Sequence, residues 1–463
     1  MAGDDRLSAL PDQLLRRVLH FAPAKEAAST RALSRRWRSP LLRSSGGAVN
    51  LETRLERVLA RTWGEQRKSL EGSFLSRRNA FVSAAQAALA ADGQVTRLTL
   101  RVEFEFDVSR WLLHPDDHKR DGSPSQDQDV IATLLSDPAA RRVEYLRLAF
   151  EGRALRSYEL FNDAEREIAR KEVGEYTLSL GSLPWETLRV LDLTSCRDIL
   201  PPAAAVVFTQ LSSTRLRHCT VRLGALQSLI DAAPALATVH LESVVIIIII
   251  APTDDVSQSS HHASRGTSPP TPPTEVVLRC PAATVLVLDK CSWRGNNQEE
   301  AAAVVAVEIH APKLRYFLYR GLLRRFAMSP RPPELARADL HFFQPCDKNG
   351  NKYPRGRREH QSDKPNELDP HRNLVMLWQF LQDLSSAKEL KLRVNHLEDM
   401  AVLSEAGRVE LLPVFSNLDR LELQGVHRPK GKSAAVAIAN LLPRAPPSPD
   451  QPHHGASRRH KRV

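Results

Sequence analysis

The chain has 463 residues, 42% of them hydrophobic and only 6% aromatic, with 20 glycines and a formal charge of +11. Leu, Val, Ile and Ala must therefore fill the core, and so few glycines disfavour phosphate-cradling loops as an organising theme. The positive charge is spread along the chain instead of gathered in one block, which weighs against a dedicated nucleic-acid surface. The five cysteines (Cys196, Cys219, Cys280, Cys291, Cys346) include no CxxC pair. With no export signal evident after Met1, free thiols and a cytoplasmic or nuclear location are expected. The longest apolar run, Val244–Ala251, falls far short of the roughly 20 residues of a bilayer span.

Residues 1–45 read as a small all-α module. Ser8 offers an upstream cap, Pro11 suits a first turn, and Asp12 sits at the positive end of the helix dipole. Leu14, Leu15, Val18 and Leu19 then form two i/i+4 apolar pairs, with Arg16 and Arg17 opposite, until Pro23 breaks the helix. A second helix is expected from about Lys25 to Pro40, with Ala28, Leu33 and Trp37 inward and its arginines outward. Two helices this short bury too little surface to be safely stable alone, so the module wants a partner.

Residues 46–90 are expected to be a helical bridge capping the next domain. Leu51, Leu55, Val58 and Leu59 recur at helical spacing, as do Phe81, Ala84, Ala85, Ala88 and Leu89.

From 91 to 442 one pattern returns: a short strand with apolar residues at alternate positions. It occurs at Val143–Leu148, Leu188–Cys196, Leu236–Leu241, Thr284–Cys291, Leu314–Tyr319, Ala387–Leu392 and Leu418–Leu423. From Leu193 through a weaker copy near His218 to Leu241 the steps are about 24 residues, within the roughly 20–29 of a leucine-rich repeat. One strand and a return segment cannot bury an apolar side alone, so the copies must stack into an irregular leucine-rich-repeat solenoid with a curved parallel sheet. The fold class expected is thus α/β: an all-α module followed by this solenoid. Polar or Pro-rich stretches at 114–129, 252–274 and 345–370 are expected to be loops, and 443–463 a disordered basic tail. Outward strand positions nominate Arg189, Asp192, His240, Glu242, Arg315, Lys391 and Glu422 as candidates to face a target.

Other signals carry little chemistry. Gly425–Ser433 has the setting of a phosphate-binding loop, but its glycines are one residue too far apart and Pro429 removes an amide. His261-His262 and His453-His454 lack acidic or Cys partners at ligand spacing. Cys196, Cys219 and Cys291 follow strands, where a small thiol fills a turn. No catalytic set, cofactor site or metal site is nominated. The run Val244–Ile250 fits an inward strand, a stretched repeat edge or a tract grown by slippage.

Residues Leu10-Pro11-Asp12, Leu14-Leu15 and Val18-Leu19, followed by Leu33-Ser34-Arg35-Arg36-Trp37-Arg38, strongly resemble the F-box signature. With Val49-Asn50-Leu51, Ala311–Tyr316 and Ala336–Leu340, the whole chain resembles a plant F-box/leucine-rich-repeat protein. That resemblance implies a non-catalytic substrate receptor of an SCF-type cullin–RING ubiquitin ligase, with no cofactor. It implies that Leu10, Pro11, Leu14, Leu15, Val18 and Leu19 press against a Skp-type adaptor, while Leu33 and Trp37 hold the module together and complete that surface. Ala22 departs from the pattern, which usually has a larger aliphatic residue there. The competing readings are a non-ligase repeat scaffold and, third, a basic nucleic-acid binder. Against the latter, the basic stretches lack interleaved aromatics.

Overall fold

The computed structural model describes residues 10–21, 48–55, 65–91, 95–104, 130–152, 176–184, 186–200, 202, 206–249, 275–295, 306–343, 370–427 and 432–441. The expected loops at 114–129 and 252–274, the stretch 345–369, the tail 443–463, Ala22, Leu33, Trp37, Cys346 and both His pairs lie outside these residues. The architecture is mixed α/β, with a large parallel sheet and few helices.

Eleven parallel strands form the main sheet: β1 (Ala48–Leu55), β2 (Arg97–Phe104), β3 (Tyr145–Gly152), β5 (Val190–Thr194), β7 (Ser213–Arg217), β9 (Thr238–Glu242), β12 (Val285–Asp289), β15 (Tyr316–Leu322), β17 (Arg337–Phe343), β18 (Glu389–Val394) and β19 (Arg420–Gly425). They lie side by side in chain order. All seven strands expected from alternation fall in this sheet, and the weak copy near His218 is β7.

Register explains why these residues form these strands. Leu51, Leu100, Leu148, Leu193, Leu216, Leu241, Leu288, Tyr319, Leu340, Leu392 and Leu423 are successive cross-strand partners. A second inward row runs from Val49 through Leu98, Leu146 and Leu191 to Leu390 and Leu421, interrupted only by Thr214 and Ala338 among branched or aromatic residues. Most of these side chains are fully buried, each leucine contributing about 1.5–3 kcal/mol. A one-residue slip anywhere would turn a whole strand's apolar set outward.

Four of the sheet strands end in the same corner. Ser195, His218, Ser243 and Lys290 take positive φ (58°, 52°, 53° and 54°), a conformation that turns the chain sharply at a cost of about 1–2 kcal/mol for a residue with a Cβ. Their N–H groups donate to carbonyls at the end of the neighbouring strand: Arg217 (2.8 Å), Glu242 (2.9 Å), Asp289 (2.7 Å) and Arg320 (2.6 Å). A short second strand follows each turn: β6 (Cys196–Leu200), β8 (Thr220–Arg222), β10 (Val245–Ile248) and β13 (Ser292–Gly295). Strands β8, β10 and β13 pair in parallel, as do β11 (Glu275–Arg279), β14 (Ala306–His310) and β16 (Phe326–Met328), while β4 (Tyr176–Ser179) pairs with β6. The isoleucine run is thus half-alternating: Ile246 and Ile248 are buried in β10 and Ile249 is exposed.

Cys196, Cys219 and Cys291 come directly after the turn residue and are buried. The Cys219 thiol donates to the Arg217 carbonyl (3.3 Å) and that of Cys291 to the Leu241 carbonyl (3.4 Å). Burial pushes the Cys291 thiol up to about 12, which keeps it from reacting as a thiolate.

Helix α1 (Asp12–Phe21) lies beside β1, and α2 (Glu65–Ala91) packs Phe81, Ala85 and Leu89 into the core. Ala84, expected inward with them, is exposed. The expected helical bridge over 46–90 needs correction, because Ala48–Leu55 is the first strand of the sheet. A spacing of four between Leu51 and Leu55 fits a strand face as well as a helix, and pairing with β2 decides between them. Helices α3 (Val130–Leu135) and α4 (Leu223–Asp231) contribute further apolar faces. Helix α5 (Pro370–Asp383) places Phe380 among Phe317, Tyr319, Phe326 and Phe342, with ring centroids 5.2–6.5 Å away. Its Trp378 donates to the Met400 carbonyl at 3.2 Å. Helix α6 (Glu405–Leu411) packs against α5, and α7 (Lys432–Leu441) against the short 3-10 turn Leu397–Met400. Among the described residues no helix is long and apolar enough to cross a membrane.

Candidate functional surfaces

Helix α1 begins directly after Pro11, whose carbonyl accepts from the amides of Leu14 (2.9 Å) and Leu15 (3.1 Å). Proline is tolerated there because a first-turn amide has no helical acceptor. Asp12 lies in the first turn, where the dipole favours a carboxylate. One turn apart, Leu14 and Val18 are 46% and 47% exposed, whereas Leu15 is fully buried. The helix therefore has an anchoring side at Leu15 and an open aliphatic side at Leu14 and Val18. In the chain alone Leu15 has no exposed area, so the open side of the helix is carried by Leu14 and Val18. Leu10 is half-buried and Pro11 exposed; Leu19 lies in the helix, its side chain among those not described, and Leu33 and Trp37 lie outside the described residues.

The second surface is the open face of the main sheet. Four of the nominated residues fall in a single cross-strand row, which runs Arg147, Asp192, Arg215, His240, Val287, Leu318, Asp339, Lys391, Glu422. Glu242 lies in the adjacent row with Arg217 and Asp289. Arg189 and Arg315 stand one residue before β5 and β15, outside both rows, and pair at the sheet margin with Glu144 (3.4 Å) and Glu334 (2.7 Å). They share sequence parity with the inward leucines, so alternation alone does not put them on the open face.

Much of this face is satisfied internally. Asp192 accepts both of its hydrogen bonds from one Arg217 nitrogen, at 3.0 and 3.1 Å, and sits 3.6 Å from Arg147. Glu242 lies 3.4 Å from Arg215 and 3.8 Å from His240. Burial and then the Arg215 guanidinium hold the His240 imidazole below its ordinary value, so near neutral pH that contact is not an ion pair. Lys391 donates to Glu422 at 2.6 Å and holds its carboxyl below the usual range. Arg97 lies 3.7 Å over the Tyr145 ring. The arginines at the rows' outward positions were not nominated from sequence. Their signal was available as the polar half of each alternating strand.

Among the described residues no group of three or more His, Cys, Asp or Glu side chains could hold a metal. Of the segment resembling a phosphate-binding loop, residues 428–431 lie outside the described residues.

No curated protein matches the chain closely enough to count as a relative. A family model for the F-box domain matches residues 7–39, which takes in α1 and every residue expected at the adaptor. F-box domains generally bind Skp-type adaptors within SCF complexes, and proteins that carry them are typically non-catalytic. Residues 7–39 of this chain are an F-box domain, which suggests an SCF substrate-adaptor role.

Proposed function

We propose that this chain is the substrate-recognition subunit of an SCF-type cullin–RING ubiquitin ligase, in the cytoplasm or nucleus. Its F-box docks a Skp-type adaptor, and a leucine-rich-repeat solenoid built on the long parallel sheet binds a target protein. The observation that carries the reading is the F-box match coinciding with a helix that leaves Leu14 and Val18 open to solvent while Leu15 anchors it. An exposed aliphatic pair on an amphipathic helix is what a helical partner covers. The chain itself then makes no bonds; holding a target beside a ubiquitin-loaded enzyme raises the local concentration of its lysines.

The repeat reading is supported by strands stacked in chain order, by an inward row that is leucine at every strand but β15, where it is Tyr319, and by the recurrent positive-φ corner. Each unit contacts its neighbours, as a repeat array requires.

Co-purification with a Skp-type adaptor tests the docking half. Wild type should retain the adaptor, and Leu14→Asp/Val18→Asp should lose it, since two charges buried in an interface cost about 4 kcal/mol or more. Both positions are exposed in the chain alone, so the fold should survive. Retention of the adaptor by the double variant would refute the docking surface. Accumulation of targets unaffected by loss of the F-box would leave a scaffold in place of a ligase receptor.

A further inference from the structure

We infer that Arg320, His341 and Arg393, in the carboxyl-terminal halves of β15, β17 and β18, form the contact point for an acidic peptide segment of the target, its carboxylates seated beside an apolar side chain. This inference rests on the receptor reading and names the class of target it would take.

The three residues are direct cross-strand partners in one row of the open face. Strands lie about 4.8 Å apart, so the outer two Cα atoms are about 10 Å apart. Carboxylates at alternate positions of an extended peptide lie about 7 Å apart, within reach of both guanidinium forks.

Charge accounting sets this row apart. At this end of the sheet, among the described residues, Asp289, Asp339, Glu389 and Glu422 each already have a cation. Asp289 faces Arg320 at 3.3 Å; Asp339 takes Arg337 at 2.9 Å and the Tyr316 hydroxyl at 3.0 Å; Glu389 faces Arg337 at 3.6 Å; Glu422 takes Lys391 at 2.6 Å. Arg393 has no hydrogen bond or ion pair among the described residues, and its Nε is enclosed. His341 is held down to about 4 by burial and then by Arg393, Arg320 and Lys290, with no carboxylate opposing them. Since Arg320 already faces Asp289, the positive charge left without a carboxylate in this row is that of Arg393, and the neutral imidazole beside it is its local sign.

Beyond the row lies an apolar shelf. The Phe343 ring meets the His341 ring edge-on at 4.5 Å, and its strand partner Leu322 is 39% exposed. The order along the strands is therefore cation, then apolar. The acids lying between Arg337, Lys391 and Arg320 would repel a continuous polyphosphate backbone, so a short acidic and apolar peptide fits better than nucleic acid.

Fluorescence anisotropy on the full chain tests this, with a labelled peptide of four glutamates followed by leucine and phenylalanine. Wild type should bind saturably and more weakly as salt rises. Arg393→Gln should lose at least about tenfold in affinity, the effect of removing one charge-assisted hydrogen bond. Arg393→Lys should restore part of it, and Arg215→Gln, at a distant strand, should change nothing. The glutamine version of the peptide should not bind. Absence of binding to wild type, equal binding by Arg393→Gln, or equal displacement by single-stranded DNA of matched charge would each overturn the inference. Leu14→Asp/Val18→Asp should keep the peptide, so failure here and failure of adaptor docking are read separately.

Discussion

Asp192→Ala should destabilise the chain by about 2–3 kcal/mol, although the sequence nominates Asp192 as a target contact. The carboxylate side chain is 9% exposed and sits between two cations, Arg217 at 3.0 Å and Arg147 at 3.6 Å, whose side chains are 21% and 31% exposed. Truncation leaves both guanidinium groups facing each other across the row with no anion between them. A fully buried pair broken this way costs about 3–5 kcal/mol, and partial hydration of the arginines lowers the figure. With a urea dependence of about 3 kcal/mol/M, the unfolding midpoint should drop by up to about 1 M. A double-mutant cycle with Arg217→Ala should then show a coupling of at least about 1 kcal/mol. A loss below about 0.5 kcal/mol with no coupling would refute the reasoning, and would return the Asp192 carboxylate to the pool of groups free to meet a target.

Phe380→Ala removes the ring that touches four other aromatics under β15 and β17, and should cost about 3–5 kcal/mol in chemical denaturation. His341 is neutral in the folded chain down to about pH 4 but protonates near 6.5 when unfolded. The unfolded state therefore binds the extra proton between these values, so stability is full above about 6.5 and falls as the pH drops toward 4. Solvent screening at this half-open site limits the effect to about 1 kcal/mol. His341→Gln should flatten that part of the stability profile measured by thermal melting, and an unchanged slope would assign it to other groups.

The strands were legible because alternation and stacking are both local properties of the chain. Leu191 and Leu193 point the same way whatever surrounds them, and a parallel neighbour with the same pattern completes the pair. Strand β2 carries the same alternation at Leu98, Leu100 and Val102. At Ala48–Leu55 the pattern was ambiguous, since Leu51 and Leu55 satisfy both periods and only the partner strand decides. The turn thiols were readable from position, but the positive-φ residues ahead of them were not. Ser195, His218, Ser243 and Lys290 share no side-chain chemistry; what they share is a hydrogen bond to the next strand. The same limit applied to the open face. Outwardness of Asp192 and His240 follows from alternation, whereas their occupation by Arg217, Arg147 and Arg215 depends on cross-strand register. On α1, two leucines adjacent in sequence divide between inside and outside, and their spacing alone does not say which one faces the core.

The chain-ordered sheet has a mechanical corollary. Every sheet strand is held by the ones immediately before and after it in the chain, so tension enters at an edge and travels inward one strand at a time. At β19 the inward residues Leu421 and Leu423 are only half-buried, and that edge should give way first under load. An unfolding machine pulling from that side would meet a staircase of small resistances in place of one large barrier, and would peel the strands away while α1 and its neighbours remained standing.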